Sequence, residues 1–167
     1  MCLNDYLYNI LSESINQRYQ ELNSLQIGDK VKDFTYYALD GENVSLSSFK
    51  GKWVLLDFWF VGCVPCHKAI PELRHLQNKF ENCLEIVGIN PIDKTERIKA
   101  YKEKNNISWN IVSANHDSNI KSYFNVNQYP TYILIDPKGN FRLIPNDFKI
   151  EDITKEISKI INSECKE

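Results

Sequence analysis

The most informative pattern in the chain is a nearly unbroken apolar run, Trp53-Val54-Leu55-Leu56-Asp57-Phe58-Trp59-Phe60. Continuous apolarity, as opposed to alternation, is what a strand buried on both faces of a central sheet requires. A second run of this kind covers 84–89 and stops at Asn90-Pro91; others are 131–135 and the short Ile111-Val112. Between them the spacing predicts helices over 64–80, 94–104 and 118–124. Asp93 and Glu96 have the spacing of a capping box opening the second helix, whose Lys99, Lys102 and Lys104 read as a solvated face. Ile150, Ile153, Ile157 and Ile160 mark a closing amphipathic helix. Ahead of the first run, 34–39 and 44–46 read as strands joined at Asp40-Gly41, a strong hairpin signal. A second hairpin turn, Asp136 to Asn140, leads into a strand over 141–144. At the start, Leu3, Leu7, Leu11, Ile15, Leu22 and Leu25 predict an amphipathic helix over 3–25. Strands alternating with helices and closing on a hairpin predict an α/β fold, with helices packed against a mixed central sheet.

Length and composition narrow this further. The 167 residues suit one domain, expected over 28–167, behind a helical extension over 1–27. Twenty basic against 22 acidic residues give a formal net charge of −2, which argues against nucleic acid as the partner. The apolar run at 53–61 is interrupted by Asp57 and falls well short of the ~20 residues of a membrane-spanning helix. The opening MCLNDYLYNI lacks the basic and apolar regions of a signal peptide. Membrane contact is therefore expected only if a preceding segment is missing, which leaves a cytoplasmic protein or a mature fragment of an exported one. The five cysteines are odd in number and too few for a disulfide scaffold.

Two of those cysteines stand in Cys63-Val64-Pro65-Cys66, between a buried strand and a helix. A helix start offers unpaired N–H groups and the positive end of the peptide dipole, which lower the pKa of a thiol placed there. Cys63 then serves as a nucleophile near neutral pH. Cys66, one turn on and expected to be the less exposed, can resolve the mixed disulfide that results. Other readings compete. Cys63, Cys66 and His67 also spell CxxCH, a haem-attachment pattern, and CxxC occurs in zinc sites. A haem would need a second ligand, and apart from Met1 only His75 and His116 offer one. Zinc would need partners that the isolated Cys2, Cys83 and Cys165 do not supply. No cofactor or metal is expected. A non-catalytic docking domain is the remaining alternative.

Asp57 is the second signal. A carboxylate inside an apolar strand is costly unless neutral or useful, and burial raises its pKa toward the range a general acid–base needs. From there it could exchange a proton with Cys66, directly or through one water. Tyr129-Pro130-Thr131 precedes the last buried strand, and by itself reads as loop punctuation.

Together, LLDFWFVGCVPCHKAIPEL, the FKGKW lead-in, DFTYYALDGENVSL and QYPTYILIDPKGN resemble the thioredoxin-fold thiol–disulfide oxidoreductases of the TlpA-like and ResA-like kind, over roughly 28–162. The resemblance implies a thioredoxin-like three-layer sandwich, a central mixed sheet flanked by helices, with an N-terminal β-hairpin and helix. It implies that Cys63 attacks, Cys66 resolves and Asp57 is the buried acid. Pro130 matches a cis-proline facing the disulfide, and the Tyr129 backbone would pair with an extended substrate segment. Val64 and Pro65 complete the expected substrate-facing set, and Pro71 falls where thioredoxins kink their first active-site helix. The implied partners are protein disulfide or dithiol substrates and an upstream thiol protein that donates electrons. The implied location is the bacterial cell envelope or periplasm, with the cytoplasm as alternative. Three departures mark this chain: Ala69 stands where ResA-like members often carry glutamate, strand 84–89 has no lysine beside Asp57, and Tyr129 is bulkier than the usual residue. The Pro-x-x-x-Thr-x-x-Cys pattern of peroxiredoxins is absent before Cys63.

Overall fold

A computed structural model of the chain describes residues 25–114, 118–142 and 149–165. The helix expected over 3–25 and the end of the strand expected over 141–144 fall outside these residues, apart from Leu25, Phe141 and Arg142. The central run forms β3 (Trp53–Phe58), and every one of its residues is buried. It is flanked by β4 (Leu84–Asn90), parallel to it, and by β6 (Thr131–Ile135), antiparallel. β5 (Asn110–Ser113) and β7 (Phe141–Arg142) complete a five-stranded mixed sheet in the order β5-β4-β3-β6-β7. β1 (Thr35–Tyr37) and β2 (Asn43–Ser45) form the expected hairpin, with Gly41 at φ +94° in the turn, a left-handed conformation that glycine adopts without penalty. The hairpin covers the outer edge of the sheet, where Ala38 bridges Val112 and the Leu39 N–H donates to the Ile111 carbonyl at 3.2 Å.

Side chains alternate across a strand, so β3 divides its residues between two cores. Trp53 and Leu55 face a cluster with Leu73 and Leu76 of α1 (Val64–Lys79), Ile98 of α2 (Thr95–Lys104), and Ile153, Ile157 and Ile161 of α4 (Ile150–Glu164). Val54, Leu56 and Phe58 face the other way, toward Ile120 of α3 (Ser118–Tyr123), Phe124 and the hairpin residue Val44. The layers are helices, sheet, then helix with hairpin, as the resemblance implied. In α4 the fully buried stripe ends on Ile161, with the expected Ile160 only partly covered.

Gly88 of β4 shows how tightly the first face is packed. A Cβ there would come within 2.9 Å of Trp59 Nε1 and 3.2 Å of Ile111 Cγ1. Gly88→Ala should therefore push the Trp59 indole off the sheet, at a cost of about 1–3 kcal/mol as for other overpacked cores. Urea unfolding together with tryptophan fluorescence checks this; an unchanged midpoint and emission spectrum would refute it.

Candidate active site

β3 ends at Phe58, and its direction carries the chain to the start of α1. The Trp59 N–H still bonds the Ile89 carbonyl at 3.1 Å, and the Cys63 N–H closes a turn onto the Phe60 carbonyl, also at 3.1 Å. Cys63 is then the N-cap of α1, with extended backbone, and its sulfur accepts the Cys66 N–H at 3.2 Å. Pro65 sits in the first turn, where its missing N–H leaves no bond unmade. Cys63 and Cys66 are joined as a disulfide with Cα atoms 5.3 Å apart. The expectation that Cys66 is the more sheltered does not hold in this oxidised form. Both cysteines are buried, at 3% and 6% exposure, because the bond draws both sulfurs into the cluster with Trp59 and Ala69. Val64, at 62%, and Pro65 provide the exposed surface over them.

The other expected residues converge here to differing degrees. The Tyr129–Pro130 peptide bond is cis. The Tyr129 ring meets Phe60 edge-on, with centroids 5.4 Å apart, which sets the start of β6 beside the loop leading to Cys63. Asp57 lies between Leu55 and Trp59 on the face that carries the disulfide, in register with Gly88 on one side and Tyr132 on the other. It is buried, and its Oδ1 accepts no hydrogen bond. Desolvation alone pushes its pKa up to about 7. Pro71 lies inside α1 as expected.

His67 is spoken for. Its Nε2 donates to the Val61 carbonyl at 2.7 Å, and its ring packs on Tyr101 with centroids 4.7 Å apart. Among the described residues no group of three or more His, Cys, Asp or Glu side chains is placed to hold a metal ion. His75 is exposed on α1, and His116 lies outside the described residues.

Some residues have roles that the pattern alone did not reveal. Asp93 is no capping residue: Lys94 caps α2 without a side-chain bond. Instead, Asp93 Oδ2 accepts the Val61 N–H at 2.7 Å and Asn90 Nδ2 at 3.0 Å, while Oδ1 accepts Arg97 Nη1 at 2.9 Å. Asn90 in turn takes the Asp93 and Ile92 N–H groups on its Oδ1. A buried carboxylate satisfied this fully ties the loop before Cys63 to the loop after β4, and a capping box could not have supplied that tie. Cys83 and Cys165, set aside as isolated, form a second disulfide with Cα atoms 6.3 Å apart. No motif marks two cysteines that are 82 positions apart.

A reducible cystine capping the helix that follows the central strand, on a sheet of this order, defines a thioredoxin-fold thiol–disulfide oxidoreductase. Residues 27–144 match the AhpC/TSA family, and the chain belongs to it. It is 31% identical over 134 residues to the thioredoxin-like protein YneN of Bacillus subtilis, covering 78% of this chain and 75% of that one. It is 28% identical to the thiol-disulfide oxidoreductase ResA of Geobacillus kaustophilus, covering 85% and 82%. Among solved structures it is similar to the thioredoxin domain of a thiol-disulfide oxidoreductase from Bacteroides vulgatus (TM-score 0.73, 31% identity, 83% of this chain and all of that one). It is also similar to a thiol:disulfide interchange protein from a Bacteroides species (TM-score 0.71, 32% identity, 83% and 91%).

Proposed function

We propose that the chain reduces disulfides in protein substrates, with Cys63 as nucleophile, Cys66 as resolving thiol and Asp57 as proton carrier. The observation that carries this reading is the position of Cys63 as N-cap of α1, its sulfur already accepting a backbone N–H. That geometry stabilises a thiolate once the disulfide is reduced. The Cys63 thiolate attacks a substrate disulfide, forming a Cys63–substrate bond and releasing one substrate thiolate, which takes its proton from solvent. Asp57 takes the proton of Cys66, and the Cys66 thiolate attacks the Cys63 sulfur. The Cys63–Cys66 bond forms, the second substrate thiol leaves, and the proton on Asp57 goes out with it. Two electrons have moved to the substrate, and an upstream dithiol protein must return them.

Exposed Val64 and Pro65, together with the Tyr129–Pro130 backbone, are the surface to which an extended substrate segment would add as a strand. The unit to which this activity is assigned is 28–167. The Cys83–Cys165 bond supports an oxidising location such as the bacterial cell envelope, since cytosolic thiols are kept reduced. Among the described residues no helix is long and apolar enough to cross a membrane.

Trapping tests the reading. Cys66→Ser should accumulate mixed disulfides through Cys63, identifiable by mass spectrometry, where wild type gives almost none. Adducts that persist when Cys63 is also replaced, or none at all, would refute the assignment.

A further inference from the structure

The proton step depends on what surrounds Asp57, and little of the surrounding is polar. Ala69 is buried where a glutamate would have offered a second carboxylate, and β4 brings only Gly88 to this position. β6 contributes Tyr132, α1 contributes Cys66 to the same cluster, and α2 contributes Tyr101. Tyr101 is buried, and its ring lies against Trp59 and His67, with centroids 5.1 Å and 4.7 Å away. Those two residues bracket the loop that holds the disulfide.

Among the described residues, the buried oxygens on this face that make no hydrogen bond include the Tyr101 hydroxyl and Asp57 Oδ1. They are complementary, because a phenol donates and a carboxylate oxygen only accepts. Burial, and then the Asp57 charge, raise the Tyr101 pKa, so the phenol keeps its proton across the working range. Buried polar atoms left without partners are rare, and a donor and an acceptor on one face, with Trp59 and His67 against the donor's ring, can satisfy each other.

We propose that Tyr101 is a positioning residue for the proton step, its hydroxyl donating a hydrogen bond through one water to one oxygen of the ionised Asp57 carboxylate. The other oxygen is then left to receive the Cys66 proton. This rests on the proposed role of Asp57. It also gives α2 a chemical task beyond covering the sheet, and it places a donor in a chain that has Ala69 and no β4 lysine.

A donor to the charged form lowers the pKa of a carboxyl group, so its removal must raise it. The experiment is a carbon-13 titration of the Asp57 carboxyl in the full oxidised chain. Tyr101→Phe keeps the ring and loses only the hydroxyl; the midpoint should rise by about one pH unit, roughly tenfold in carboxylate population below it. Incorporation of 3,5-difluorotyrosine at position 101, a stronger donor of nearly the same shape, should lower it. An unmoved midpoint in both proteins overturns the inference, as does a shift produced by Tyr132→Phe and not by Tyr101→Phe. The titration is read without turnover, so failure of the Asp57 role appears separately, as a pH–rate profile that Asp57→Asn does not change.

Discussion

Asp57→Asn should make the folded, oxidised protein more stable by up to about 4 kcal/mol at pH 9 relative to its effect at pH 4, while slowing the resolving step at neutral pH. The sign follows from where the proton is held. The folded-state pKa of Asp57 is about 7 against an ordinary value of 3.8, so between those values the folded chain binds a proton that the unfolded chain has lost. Stability contributed by this site is present below about pH 4, falls as pH rises toward 7, and levels off above it. About three pH units at about 1.4 kcal/mol each give the stated magnitude, as an upper figure for a fully desolvated group. Asparagine has no charge to desolvate, so the alkaline penalty disappears. Its own amide is imperfectly satisfied beside Gly88 and Tyr132, which is why the difference between the two pH values isolates the carboxylate and either value alone does not. Urea unfolding at both pH values measures it. A stability change that is the same at pH 4 and pH 9 would show that Asp57 titrates as an ordinary carboxyl. A buried carboxyl group with this cost to stability fits the proposed proton-carrier role better than a role in folding.

The second large effect lies at the other end of α1. Replacing Cys83 and Cys165 together by serine should lower stability by about 4–5 kcal/mol, the chain-entropy value for a closed loop of some 80 residues. The bond joins the turn before β4 to the end of α4, and the Cys83 carbonyl also accepts the Trp53 N–H at 2.7 Å as β3 begins. Disulfide exchange at Cys63 and Cys66 should survive in the variant at temperatures where it remains folded, because no part of that pair depends on Cys83. Chemical unfolding of the two oxidised proteins, with insulin reduction as the activity readout, tests both halves. An unchanged midpoint would mean that the unfolded chain gains nothing from release of the loop.

Much of this molecule is legible in its sequence, and the reasons are local. β3 announces itself because a strand covered on both faces must be apolar throughout, and Asp57 stands out against that run for the same reason. The hairpin at Gly41 and the Cys63 cap are set by neighbours within a few positions. What could not be read depends on distant partners. Asp93 has the spacing of a cap, yet its carboxylate is committed to Val61 across 32 positions. Tyr101 follows Ile98 by three residues and looks like ordinary helix packing, although it reaches Trp59 and His67. The Cys83–Cys165 pairing has no local signature at all. The shift from Ile160 to Ile161 in α4 is the small error that periodicity permits when a helix meets a twisted sheet.

The second disulfide also divides the central sheet in a way its strand order conceals. Residues 83–165 form a covalent ring that contains β4, β5, β6 and β7, whereas β3 lies outside it. Its two neighbours, β4 and β6, are both members of the ring. The strand that bears Asp57 and delivers Cys63 is thus a guest, seated by hydrogen bonds and packing in a slot whose walls are tethered to one another.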